Sequence, residues 1–199
     1  WFYNHYKDGA FQNIDPILIS SHIIIALQQL ISRIIPPTIP AVLSFGKISG
    51  NGSTNIIPDR VELEGTFRIM NEEWRAVAHQ KMIKMAESIG ESMGGECIFR
   101  LEKGYPFLVN DDNVTGKAKA AAIEFLGSEN VIDLDLRMTA EDFAYYSQLK
   151  PACFYRLGIK NKADNITPGL HTSTFNIDES AIETSIGLMS WIAIKELPR

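Results

Sequence analysis

Val61-Glu62-Leu63-Glu64-Gly65-Thr66-Phe67-Arg68-Ile69-Met70 alternates apolar and polar residues at period two, the pattern of a strand with one buried face. Asn71-Glu72-Glu73 follows at once and caps a helix running to about Ser92, with Trp74, Val77, Met82, Met85 and Ile89 as candidate core positions. Gly94-Gly95 stops that helix, and Cys97 to Leu101 alternates again as a strand. On the upstream side, Ala41 to Ile48 is short, apolar and β-compatible, and Gly50-Asn51-Gly52-Ser53 makes a turn.

Further upstream, Asp15-Pro16 sets up a helix start, with Asp as N-cap and Pro at the first helical position. The dense apolar run Ile17 to Ile34, broken by Ser20, Ser21, His22, Gln28 and Gln29, is too polar for a membrane span and predicts a mostly buried helix. His22 is expected at the edge of the core with a satisfied nitrogen. Pro36, Pro37 and Pro40 end the helix. Residues 1–14 read as a short strand or loop. The order strand, helix, strand, strand, helix, strand predicts a split βαβ (ferredoxin-like) unit, with two helices on one face of an antiparallel sheet. Its edge strands must be solvated or paired with a partner.

Gly104-Tyr105-Pro106 marks a composition break and a domain boundary, giving units 1–104 and 105–199. In the second unit the sequence predicts an amphipathic helix from near Asp112 to Phe125, a strand over Glu129 to Leu136, a strand over Cys153 to Leu157, and a closing helix from Ala181 to Glu196. Alternating strands and helices make this half an α/β layer. The whole chain is thus of α/β class, with an α+β first unit.

The composition excludes several functions. Among 199 residues 45% are hydrophobic and 22% charged, which suits an ordinary globular chain. A net charge of −5 and scattered Lys and Arg leave no basic footprint for nucleic acid or an anionic membrane surface. Two distant cysteines, Cys97 and Cys153, exclude a disulfide framework and point to a reducing, cytoplasmic compartment. The first 15 residues lack the apolar core of a signal peptide. The chain opens on Trp1, not Met, so a piece of a longer protein is expected.

Two places carry candidate chemistry. In Pro168-Gly169-Leu170-His171-Thr172-Ser173-Thr174, a Pro-Gly turn delivers a histidine just before Asn176 or Asp178 caps the last helix. A loop of this kind can present an imidazole to a cleft, although a surface histidine in a capped turn is the simpler reading of that stretch alone. Adjacent Glu141 and Asp142 could crowd in a cleft or support a metal-bound histidine. Spacing alone favours first-turn acids stabilised by a helix dipole. His5 falls in the irregular start, and His79 lies in a helix where a solvated face is the simpler reading.

Several phrases, in order, resemble the metal-dependent aminoacylase and exopeptidase family of amidohydrolases, closest to its hippurate hydrolase and auxin-conjugate hydrolase branch. They are Ile14-Asp15-Pro16-Ile17, Gly52 through Asn55-Ile56-Ile57-Pro58-Asp59, Leu63-Glu64-Gly65-Thr66-Phe67-Arg68, Met138 through Ala140-Glu141-Asp142-Phe143-Ala144-Tyr145-Tyr146, Leu157-Gly158, and Leu170-His171 through Phe175 with Asp178-Glu179. The resemblance implies that residues to 104 are the family's lid or dimerisation domain and that residues from 105 are the C-terminal segment of its catalytic domain. It implies that His171 is a metal-binding histidine of a two-metal site (Zn, Mn or Co). Asn55 becomes a lid asparagine contacting substrate, in the partner subunit's site of a homodimer. Glu141 and Asp142 fall near the metal centre without a defined role.

Most of the family's metal ligands, and its general-base glutamate, precede the lid and have no counterpart here. The Gly-His and Pro-His phrases that open the lid are replaced by His5-Tyr6 and Ala10-Phe11. A hydrolytic zinc needs about three protein ligands and a polarised water. One imidazole with scattered carboxylates does not assemble a metal pair. The expected function is therefore part of an amidohydrolase cleaving N-acyl amino acids or small peptides, with no catalytic residue in this chain, inactive alone and exposing apolar surface. The alternative is a non-catalytic, self-associating α/β module. No GxSxG, P-loop, GxGxxG or HExxH motif supports another enzyme type.

Overall fold

A computed structural model describes residues 13–160 and 169–197. The chain divides into two compact units between Phe107 and Leu108. The expected strand at the start and His5 lie mostly or wholly outside the described residues.

In the first unit, α1 spans Pro16–Gln29. Asp15 caps it, its Oδ1 accepting from the N–H groups of Ile17 and Leu18 at 2.9 and 3.1 Å. A π-helical turn, Leu30–Ile34, continues it before the prolines end it. The stripe Ile19, Ile23, Leu27 and Leu30 is buried, with Leu27 and Leu30 wholly inaccessible. Ile17, Leu18 and Ile25 are exposed, and so is His22, which is therefore not at the core edge. Pro16–Ile34 is long and apolar enough by length and composition to cross a membrane. Here its buried stripe packs against the rest of this unit.

Strands β1 (Ala41–Gly50) and β2 (Val61–Ile69) pair antiparallel, Ala41 opposite Ile69 and Gly50 opposite Val61. Gly46 is an extra residue in β1, because Phe45 faces Gly65 while Lys47 faces Glu64. Helix α2 spans Glu72–Ser92; Asn71 Oδ1 accepts from Trp74 N–H at 2.9 Å, and Gly94 (φ +81°) lies beyond its end.

Both helices lie on the face of the hairpin that carries Leu43, Phe45, Leu63 and Phe67. Each fully buried leucine there contributes about 1.5–3 kcal/mol. The buried positions of α2 are Arg75, Ala78, Met82, Ala86 and Gly90, one every three or four residues. Small residues allow α1 and α2 to approach closely. Of the expected core positions only Met82 is fully buried; Trp74, Met85 and Ile89 are partly buried, and Val77 is exposed.

The second unit holds α3 (Asp112–Leu126), a 3₁₀ turn (Ser128–Asn130), α4 (Ala144–Leu149) and α5 (Ser180–Glu196). Asp111 caps α3, accepting from Val114 N–H at 2.9 Å. Ala118 and Ala121 of α3 and Leu188 of α5 are buried. Among the described residues the unit's expected strands form no ladder. Residues 131–137 follow the 3₁₀ turn without a strand partner among the described residues, leaving Ile132, Leu134 and Leu136 exposed. Cys97 to Leu101 in the first unit is likewise unpaired, although its burial alternates, with Cys97 and Phe99 packed on the core and Ile98 72% exposed. Alternation encodes a buried face; a ladder also needs a neighbouring strand within about 5 Å.

Candidate functional site

His171 sits in the turn that precedes α5. Its φ is +63°, the left-handed region, and among the described residues no other non-glycine has a positive φ. Histidine tolerates this conformation better than bulky or β-branched residues do. The turn is closed locally: Thr172 Oγ1 donates to Gly169 C=O at 2.9 Å, and Phe175 N–H donates to Thr172 C=O at 3.1 Å. The imidazole is exposed. Downstream, Asp178 Oδ1 accepts from Ser180 N–H at 3.0 Å and Asn176 Oδ1 accepts from its neighbour Ile177, while the N-cap position of α5 is Glu179, whose side chain makes no capping hydrogen bond. Neither of the two expected caps is the N-cap: the helix starts one residue beyond Glu179, too late for Asn176 or Asp178 to occupy that position.

Glu141 and Asp142 lie immediately ahead of α4, their carbonyls accepting from Ala144 and Tyr145. Glu141 faces Arg156 across 3.9 Å, and Arg156 Nη2 donates to Thr139 Oγ1 at 3.1 Å. The carboxylate thus has a cationic neighbour that sequence spacing did not pick out, because Arg156 lies fifteen positions beyond it in a stretch that reads as a plain strand. Phe143 meets the rings of Tyr146 and Phe154 at a tilt of 38°, with centroids 5.7 and 5.5 Å away.

Asn55 is exposed in the loop between β1 and β2, where Ser53 Oγ donates to its Oδ1 at 3.1 Å. The loop is pinched by a reciprocal pair, Ser53 N–H to Ile56 C=O at 3.0 Å and Ile56 N–H to Ser53 C=O at 3.2 Å. Gly52 makes this possible: a Cβ there would lie 2.7 Å from the Ile56 carbonyl oxygen.

Hollows on the described surface include one of about 350 Å³ beside Asn110 and Ser147–Ala152 and one of about 620 Å³ between α1 and α2. Neither is lined by His171, Asn55, Glu141 or Asp142. Among the described residues no three His, Cys, Asp or Glu side chains come together to hold a metal ion. The residues described therefore do not by themselves fit a metal centre. His79, read as solvated, is half-buried and packs edge-on against Phe67 at 5.8 Å. Burial, and then the positive charges of Arg75 and Lys103, hold its pKa below the ordinary value of 6.5.

The model of peptidase family M20/M25/M40 matches residues 13–194, and the chain belongs to this family of metal-dependent amidohydrolases and peptidases. It is 36% identical over 168 residues to an N-acetyl-L-cysteine deacetylase of Bacillus subtilis, covering 84% of this chain and 39% of that protein. It is 30% identical over 193 residues to the IAA-amino acid hydrolase ILR1-like 4 of Arabidopsis thaliana, covering 92% and 43%. Among solved structures it is similar to a dinuclear metal binding peptidase of the M20 family from Bacillus subtilis. The TM-score is 0.70 and the identity 29%, over 91% of this chain and 46% of that one. The mixed α/β fold is thus that of M20 peptidases. The chain spans less than half the length of these relatives.

Proposed function

We propose that this chain is the carboxy-terminal part of a metal-dependent amidohydrolase that releases an amino acid from N-acyl amino acids or small peptides. The observation that carries the reading is the family match over residues 13–194 together with a single exposed histidine on a left-handed turn before the last helix. The printed names of two relatives describe amide hydrolysis at an amino acid, which supports the substrate class. Residues 1–104 act as a lid and dimerisation domain of split βαβ type, and residues 105–199 belong to the catalytic domain.

In this reading His171 supplies one imidazole to a divalent-metal site of the zinc, manganese or cobalt type. Its remaining ligands, and the general base, come from outside the described residues. Asn55 positions the substrate amide from the lid of a homodimer, its Oδ1 oriented by Ser53. Glu141, paired with Arg156, holds negative charge near the site without touching substrate. This chain alone does not turn over substrate.

The test expresses the chain together with whatever sequence precedes it in its gene and assays amino-acid release from N-acetyl and N-aroyl amino acids with Zn, Mn or Co. Metal-dependent release that His171→Ala abolishes and Asn55→Ala weakens is expected. Absence of metal-dependent release, or full activity in His171→Ala, overturns the reading. A second reading, a non-catalytic self-associating module, is favoured by the two-stranded sheet, whose outer edges lie unpaired among the described residues. Light scattering decides its premise: a strict monomer at high concentration removes it.

A further inference from the structure

The hollow of about 620 Å³ between α1 and α2 lies in the first unit, and Gln29 and Ile34 line it from the α1 side. In a regular α-helix two residues five positions apart stand about 140° apart around the axis and would not share one hollow. Here the chain makes a π-helical turn over Leu30–Ile34, closed by Ile35 N–H donating to Leu30 C=O at 2.8 Å. That wider turn brings positions five apart onto one side of the helix. Such turns are rare, and they occur frequently at functional sites.

From the α2 side come Lys81, Lys84, Met85, Ser88 and Ile89, the spacing of a single helix face. The stripe is graded. Its two ammonium groups come first and its apolar members follow, all within about 12 Å of helix. Met85, Ile89 and Ile34 are half-buried and pack against the core of the unit, so the floor of the groove is fixed. Lys81 and Lys84 are exposed, and among the described residues neither has an ion-pair partner. No acidic side chain among the described residues lines the groove, although the chain carries a net charge of −5. Two cations beside an apolar floor are complementary to an anion with an apolar body. Lysine, a compact charge on a flexible stem, suits a small anionic head. A concave slot of this volume holds one small-molecule tail, whereas a bilayer surface calls for a continuous apolar face.

We propose that this groove binds a single-chain aliphatic carboxylate, with its head held by Lys81 and Lys84 and its tail lying on Met85, Ile89 and Ile34. The site is separate from the proposed hydrolytic one, since neither His171 nor Asn55 lines it.

Octanoate is the probe. Calorimetric titration of the chain is expected to show saturable binding at one site, with amide shifts confined to residues 26–34 and 81–89. Replacing both lysines, Lys81→Met with Lys84→Met, is expected to weaken binding about tenfold or more, while Lys81→Arg with Lys84→Arg keeps it within about threefold. Octan-1-ol lacks the charge and acetate lacks the tail, so each is expected to bind at least about tenfold more weakly than octanoate. Circular dichroism checks that the variants are folded; if the methionine pair is not, the comparison of octanoate with octan-1-ol on the parent chain still decides. Equal binding of octanoate and octan-1-ol, a folded methionine pair with parent affinity, or shifts outside the two helices overturns the proposal. Binding to phosphatidylglycerol vesicles with none to octanoate assigns the face to a membrane surface and overturns it equally.

Discussion

Asn110 holds Phe154 by both of its backbone groups: the side-chain amide donates to the carbonyl at 2.9 Å and accepts from the N–H at 2.7 Å. One side chain thus does for a single residue what an adjacent strand does for a whole ladder. Asn110→Ala leaves both Phe154 groups without that partner in a part-buried setting. A loss of about 1–3 kcal/mol in urea unfolding of the second unit is expected. Asn110→Asp keeps the acceptor and loses the donor, so it is expected to fall between parent and alanine.

His79 couples stability of the first unit to pH. Its folded-state pKa lies below the ordinary 6.5, because burial and the nearby Arg75 and Lys103 disfavour the imidazolium. As pH falls through 6.5 the unfolded chain binds the proton first, so stability declines. The decline levels off once pH is below the lowered folded-state value. Urea midpoints measured from pH 8 down to pH 5 are expected to fall in the parent, and His79→Gln is expected to flatten part of that slope. An unchanged slope in the variant contradicts the assignment.

Leu27 has no accessible surface and packs in the cluster of Ile23, Leu30, Leu43 and Met82. Leu27→Ala is expected to cost about 2–5 kcal/mol, the range for a leucine truncated in a close-packed core. Denaturant titration measures it. Ile25→Ala, on the exposed side of the same helix, is expected to change stability by less than about 0.5 kcal/mol.

Gly52 and Asn55 separate structure from contact within one loop. Gly52→Ala places a Cβ 2.7 Å from the Ile56 carbonyl oxygen and 2.9 Å from Pro58 Cδ, so the loop must shift. A loss of about 1–3 kcal/mol is expected. Asn55→Ala removes only an exposed side chain and is expected to leave the melting curve unchanged. A stable Gly52→Ala variant with parent-like amide shifts in residues 51–58 contradicts this.

Local chemistry settled much of this chain from its letters. Asp15 and Asn71 cap helices where the sequence places them, because an N-cap satisfies donors two or three residues away and needs nothing distant. The alternation of Val61 to Ile69 became β2 because its partner β1 lies nearby in sequence across one loop. The ordered phrases around Asn55, Glu141 and His171 were enough to name the family. Tertiary structure decided the rest. Whether Cys97–Leu101 and Cys153–Leu157 join a ladder depends on which neighbours are present, which a strand's own pattern does not encode. The same holds for Val77, which is exposed while Ala86 packs with the first helix and Ala78 against Ile35 and Ile69, and for Arg156 beside Glu141. Arg75 Nη1 donates to the Tyr105 carbonyl and Phe107 N–H donates to Glu72 Oε1, joining groups some thirty positions apart, and no local spacing rule reaches that far.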